Sequence, residues 1–367
     1  MKRRAFIKGA ATAGVATAAA AASNFPAPAI AQGIKEWKMA LTWPANTPGL
    51  GLSAQRVAKR IELFTGGKIK IKVYGAGELV PAFQCWDAAS AGDIQMYQGA
   101  EYYWQGKHKA LNFFTTVPYG LTGSEHYAWL NYGGGQELWD EVAAQFNLKG
   151  FVGAWTGVQM GGWFRKEVHS LDDLKGLKFR MPGIGGEVLR KVGVAVVNIP
   201  GAEVFPALQS GTIDGTEWVG PWLDMNFGFY KVAKFYYWPG WHEPGTTGEV
   251  MINKKVWDGL TKDEQEIITG VIQAEGQYQT SEFRARDVGA LRTLTTDHGV
   301  KLRRFSNEML TQFGNYSGEV AAAMAKSDPL TQKVYDSYAK FRKDTIALSK
   351  IQEAGYLKAR ELPFKWG

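Results

Sequence analysis

The chain has 367 residues, 45% hydrophobic and 21% charged, with 42 basic and 35 acidic side chains and a formal balance of +7. Four of the basic residues and none of the acidic ones fall within the first 31, so the rest carries 38 against 35, or +3, with no later basic cluster. That balance argues against nucleic acid as a partner, and the single cysteine, Cys85, rules out an internal disulfide and reads as a small buried side chain.

In chain order, residues 1–31 lie outside the expected fold. Arg3-Arg4-Ala5-Phe6-Ile7-Lys8 resembles a twin-arginine export signal, followed by a weakly apolar stretch and the small residues Ala29-Ile30-Ala31. The expected location is therefore the periplasm. Trp37 to Trp43 reads as a strand, and Ala54, Val57, Ile61 and Phe64 fall on one face of a helix. Lys68–Tyr74 alternates as a strand, Pro81–Ala91 is an expected helix, and Ile94–Gly99 a further strand. Gly133-Gly134-Gly135 reads as a flexible loop, and Val152 to Phe164 as one long strand crossing between lobes.

The stretch from Gly176 to Trp218 is the most informative. Leu177–Met181 is an expected strand, Glu187–Val192 a short helix after a glycine turn, and Ala195–Ile199 a buried-looking strand. Glu203–Gln209 is a helix with Gly211 just past its end, and Thr212–Trp218 a third strand. This alternation predicts a parallel sheet covered by helices, in which ligands sit at the carboxyl ends of strands. Arg180 and Glu217-Trp218 stand near two such ends.

Thr246–Ile252 is a strand that crosses back. Thr261 with Glu264 forms a capping box opening a helix that runs to about Leu294, stopped by Asp297-His298-Gly299. Val300–Phe305 is the last expected strand. After Asp328-Pro329 a final helix carries Val334, Phe341 and Leu348 seven apart, beside Tyr338, Thr345 and Gln352. That partial heptad fits either a homodimer seam or packing on its own domain.

Most catalytic signatures are missing: there is no P-loop, nucleophile elbow, paired cysteines or zinc-type histidine spacing. Gly183-x-Gly185-Gly186 fits a tight turn better than a dinucleotide fingerprint. Arg180 in a half-buried strand calls for either a structural ion pair or a bidentate carboxylate ligand. Glu217 and Glu243, each beside aromatic residues, need a cation, a proton or an arginine if buried, and Gln159 can add an amide oxygen to a hard-cation site. With a monocarboxylate ligand, Glu217 and Glu243 sum to −3 and Arg180 returns +1. Calcium brings that to zero and sodium leaves −1, so the count favours calcium and leaves sodium open.

Four segments together carry a family resemblance: Gly157–Phe164 (GVQMGGWF), Leu177–Gly183 (LKFRMPG), Asp214–Pro221 (DGTEWVGP) and Pro239–Gly245 (PGWHEPG). The chain resembles the solute-binding proteins of tripartite ATP-independent periplasmic (TRAP) transporters, most of all the subgroup for alpha-keto acids or lactate. The resemblance implies an α/β fold of two lobes closing over the ligand, type II-like, with crossing hinge strands, a long connecting helix and a C-terminal helical extension that pairs subunits. The expected lobes are residues 32–157 with 246–285, and 158–245 with 286–328, leaving 329–367 for the dimerisation helix and tail. By the same resemblance Arg180 meets the ligand carboxylate. A sodium or calcium ion bridges ligand and protein through Gln159, Glu217, the Trp218 carbonyl and Glu243. Loop position adds Trp43, Tyr103 and Thr156 as candidate first-lobe ligand contacts. The expected activity is capture of a small 2-oxo or 2-hydroxy monocarboxylate for TRAP membrane subunits, with no chemistry. The rival expectations are an exported enzyme acting on a small carboxylate and a sugar-binding protein using its 14 tryptophans.

Overall fold

The computed structural model describes residues 33–365; the expected export signal lies outside them. The strands are β1 (Lys35–Leu41), β2 (Ile69–Tyr74), β3 (Met96–Gly99), β4 (Leu148–Trp155), β5 (Gly162–Phe164), β6 (Lys178–Arg180), β7 (Ala195–Val197), β8 (Gly215–Thr216), β9 (Phe235–Trp238), β10 (Thr247–Asn253) and β11 (Lys301–Arg304). The α-helices are α1 (Leu50–Phe64), α2 (Cys85–Ala91), α3 (Leu111–Thr115), α4 (Gly123–Tyr132), α5 (Gly135–Ala144), α6 (Gly183–Val192), α7 (Gly201–Ser210), α8 (Pro221–Phe227), α9 (Lys254–Asp258), α10 (Lys262–Thr296), α11 (Asn307–Ala325), α12 (Pro329–Ile351) and α13 (Glu353–Ala359).

Two sheets organise two lobes. The first has the order β2-β1-β3-β10-β4, parallel from β2 to β3 and antiparallel at β10. The second has the order β11-β9-β5-β8-β6-β7, with β7, β6 and β8 mutually parallel and β5 antiparallel to both neighbours. The chain passes from first to second sheet between β4 and β5, returns between β9 and β10, and crosses again along α10. The expected long strand from Val152 to Phe164 is thus two strands in two sheets. Residues 156–161 break it, with Gly157 at φ 73° in a left-handed conformation that a strand does not use.

Local chemistry explains most boundaries. Thr261 and Glu264 form a reciprocal capping box at the start of α10, and the helix runs 35 residues. Ala54, Val57 and Ile61 are buried on α1, whereas Phe64, expected on the same face, is 60% exposed. Gly183–Gly186 form the first turn of α6 rather than a loop before it. Close approach to the segment leaving β6 keeps Gly186 a glycine: a Cβ there would lie 2.4 Å from the Met181 carbonyl oxygen. β7 is an edge strand with exposed side chains rather than a buried one, and the third strand of that region shrinks to Gly215–Thr216. The glycine triplet is the α4–α5 joint, with Gly133 capping one helix and Gly134 at φ 81° before the next. Helices α3, α4, α5, α8, α9 and α11 are not among the elements expected from the sequence.

The last helices divide into two parts. On α12, Val334 and Tyr338 are buried, and Tyr338 accepts a hydrogen bond from the Leu121 N–H at 2.9 Å. Beyond them Leu348 and Ile351, with Tyr356 on α13, are more than half exposed. Among the described residues no helix is long and apolar enough to cross a membrane.

Candidate functional site

The lobes meet over a small cavity at the carboxyl end of β6. Trp43, Leu50, Tyr103 and Thr156 line it from the first lobe and the crossing segment, and Gln159, Arg180 and Trp218 from the other side. All six expected ligand-contact residues therefore stand around one space. Tyr102 also lines it, its ring seated on Gly183, where a Cβ would approach Cδ1 to 3.1 Å. Gln105 Nε2 donates to Glu187 Oε1 at 3.2 Å and the Tyr119 N–H to the Trp241 carbonyl at 3.0 Å, so the lobes are in direct contact.

Arg180 ends β6 and is 1% exposed. Its Nε donates to the Ile199 carbonyl at 3.3 Å, its Nη1 donates to the Glu217 carboxylate, and the Trp218 ring lies 5.0 Å from the guanidinium carbon. Nη2 is buried with no hydrogen-bond partner among the described residues. Of the two roles the sequence left open, the structural ion pair is therefore present, and one prong of the fork remains free. An unpaired donor of a buried cation is costly unless something arrives to accept it.

Glu217 follows β8 directly, and its second oxygen lies 3.3 Å from His242 Nε2. Glu217, His242 and Glu243 are all buried, and their ligand-type atoms lie within 4.8 Å of one another. Burial raises the Glu217 carboxyl to about 7 despite the opposing charge of Arg180. Burial, and then the charge of Glu217, raise Glu243 to about 7. Burial lowers His242 to about 4, which keeps its imidazole neutral. The Tyr103 phenol is pushed by burial up to about 12 and stays protonated. With one cation against two carboxylates, the ionised site carries a net −1.

Gln159 completes the group. Its backbone is clamped by an N–H donated to the Glu243 carbonyl and a carbonyl accepting from Gly240, both at 3.1 Å. Gly240 has no alternative there, since a Cβ would fall 2.2 Å from the Gln159 oxygen. The amide nitrogen donates to Thr246 Oγ1 at 2.9 Å and Thr156 Oγ1 at 3.2 Å. Its side-chain oxygen is buried and has no partner among the described residues. The Gln159 amide shares the Thr246 hydroxyl with Glu243, and an amide oxygen together with the Glu217 and Glu243 carboxylates is a donor set that suits a hard cation. His242, Thr246, Leu50 and Tyr102 were not singled out as site residues by sequence. His242 carried a signal in the Trp241-His242-Glu243 run; the others reach the cavity only through long-range folding.

Against this geometry the comparisons are specific. The model of the DctP family, the bacterial extracellular solute-binding proteins of family 7, matches residues 39–328, and the chain belongs to that family. A curated relative, the monocarboxylate 2-oxoacid-binding periplasmic protein of Nostoc sp. (strain PCC 7120), is 39% identical over 97% of this chain and 98% of its own. The TRAP periplasmic solute-binding protein of Colwellia psychrerythraea, solved with bound calcium and pyruvate, is 38% identical with a TM-score of 0.86, covering 89% of this chain and 99% of that one. Its counterpart from Pseudoalteromonas atlantica, solved with sodium and pyruvate, is 38% identical with a TM-score of 0.86, covering 90% and 100%.

Proposed function

We propose that this chain is a periplasmic receptor that captures a small 2-oxo or 2-hydroxy monocarboxylate of the pyruvate, 2-oxobutyrate or lactate type and presents it to TRAP membrane subunits. The observation that carries the reading is that two of the buried polar atoms at the cavity without a partner among the described residues are Arg180 Nη2 and Gln159 Oε1. One is a charged donor suited to a carboxylate, the other an oxygen suited to a cation. In this reading Arg180 takes the ligand carboxylate, and Trp43, Tyr103 and Thr156 close on it from the first lobe. The relatives solved with pyruvate and a cation support the same ligand class.

A cation would be held by Gln159 Oε1, the carboxylates of Glu217 and Glu243 and the Trp218 carbonyl, and would supply the positive charge that a second, ligand-borne carboxylate requires. Calcium neutralises the set and sodium leaves one negative charge, so calcium is the better match. Arg180 and the acids have no task toward a neutral sugar, which favours a carboxylate ligand over the sugar-binding reading. We further propose lobes of residues 32–157 with 246–285 and 158–245 with 286–328, export by the twin-arginine segment, and a homodimer formed through the exposed apolar side chains of 329–367. A thermal-shift screen of small carboxylates, with and without calcium, tests the function. Stabilisation by pyruvate that grows with calcium is expected; stabilisation by neutral sugars alone, or turnover of pyruvate or lactate, overturns it.

A further inference from the structure

The segment returning from the second lobe to the first reaches the site at Thr246, one residue before β10. Its hydroxyl has two polar partners, accepting from Gln159 Nε2 at 2.9 Å and donating to Glu243 Oε2. Its backbone is tied to the outgoing crossing segment: the Thr246 N–H donates to Thr156 Oγ1 at 3.0 Å, and its carbonyl accepts from the Thr156 N–H at 3.2 Å. The Thr156 hydroxyl in turn donates to the Gly157 carbonyl at 3.0 Å and accepts from Gln159 Nε2.

A hydroxyl has one proton to donate. Both threonines have already directed theirs, to Glu243 and to Gly157, so each can face Gln159 only as an acceptor. The amide must then present its nitrogen to the threonines and turn its oxygen away, where it is buried without a partner. With Glu243 ionised, the proton bookkeeping therefore selects this orientation of the amide. The same Thr246 hydroxyl holds one Glu243 oxygen, so a single side chain fixes two of the three side-chain oxygen donors.

We propose that Thr246 is a positioning residue for the cation: it aims the Gln159 oxygen and the Glu243 carboxylate, and it does so from the hinge, so cation affinity depends on a residue that the ion does not touch. The inference rests on the reading that Gln159, Glu217 and Glu243 hold a cation. Outer partners that orient metal ligands typically change affinity 10–100-fold when removed.

The test is calorimetric titration of calcium into wild type, Thr246→Val and Thr246→Ser, each with saturating pyruvate. Valine keeps the shape and loses the hydroxyl; serine keeps the hydroxyl. The expected result is at least tenfold weaker calcium binding in the valine variant and recovery to within about threefold of wild type in the serine variant. Equal affinity in wild type and a folded valine variant overturns the role of Thr246. Absence of calcium and sodium binding in wild type overturns the cation reading itself and this inference with it. Should the valine variant not fold, the side-chain amide of Gln159 is followed by nitrogen-15 NMR in cation-free wild type: one slowly exchanging, fixed amide is expected, and an amide averaged by rotation overturns the proposal.

Discussion

Removing the cation should weaken acid binding severely, and the separation of the two acids sets the scale. Atoms of Glu217 and Glu243 that could ligate a metal lie within 4.8 Å of one another. Arg180 offsets one of these charges. A ligand carboxylate arriving at comparable range then faces one uncompensated charge, worth about 3.5 kcal/mol at an effective dielectric of ~20. That corresponds to a loss of roughly 300-fold in affinity. The assay is titration of pyruvate into protein stripped of calcium and sodium, repeated with each ion restored. Linkage requires pyruvate to raise calcium affinity by the same factor by which calcium raises pyruvate affinity. The pH dependence has a definite sign. Burial holds both carboxyls up at about 7, so below that pH protons compete for the cation's place and partly relieve the repulsion. Calcium affinity and the coupling should therefore grow as pH rises through about 7 and be largest near pH 8. Pyruvate bound equally tightly by stripped and calcium-loaded protein at pH 8 would refute the bridging ion.

Three further outcomes are expected. Arg180→Lys should keep the fold and lose about 2 kcal/mol or more of pyruvate binding, because an ammonium keeps the charge but lacks the planar fork that spreads donors toward Ile199, Glu217 and a ligand; wild-type affinity by calorimetry removes Arg180 from the ligand. Gly183→Ala places a methyl 3.1 Å from the Tyr102 ring at φ 60°, so small-angle scattering at saturating ligand should show a less compact molecule than wild type, and equal radii of gyration would dismiss this contact as a closure limit. Truncation after Lys343 removes the exposed Leu348, Ile351 and Tyr356 and retains Val334 and Tyr338 in the core; it should yield a folded monomer by light scattering, and a full-length protein already monomeric at micromolar concentration defeats the homodimer.

The ease of reading the sequence varied with the range of the forces involved. The long helix was legible at both ends because its capping box and its stop are local chemistry. Helix α4 offered the same kind of signal in Thr122 and Glu125, which form a capping box, and α11 offered Ser306 capping Met309; both went unread beside glycine-rich or weakly periodic neighbours. The start of α6 was missed because glycine usually opposes a helix. Here the close approach of Gly186 to the segment leaving β6 outweighs propensity. β8 failed as a six- to seven-residue strand because only Gly215 and Thr216 find partners in the sheet. At the site, Arg180, Glu217, Glu243 and Gln159 stood out because charged or amide groups interrupt apolar, aromatic runs. Leu50, Tyr102 and Thr246 did not, since an ordinary side chain becomes special only through neighbours far away in sequence. Gln159 illustrates the limit: its type was readable, but the direction of its oxygen depends on two threonines 90 residues apart, Thr156 and Thr246.

Helix α10 also has a mechanical consequence. At 35 residues it is about 52 Å long. It packs on α1 and β4 in the first lobe and on α8 in the second. Gln279 rivets it to the first lobe, accepting from the Trp155 N–H at 3.1 Å and donating to the Gly49 carbonyl at 2.9 Å. Asp287 rivets it to the second by accepting from the Trp222 N–H at 2.9 Å. The two halves of the jaw are therefore splinted by a continuous rod as well as joined by the two crossing segments. Opening must flex the rod or drag α8 along it, and either motion stores elastic energy that favours reclosure. The empty jaw should breathe through a narrow arc rather than swing freely. Spin labels on the two lobes would register that stiffness as a narrow distance distribution in the ligand-free protein, and a broad one would mean that the rod yields.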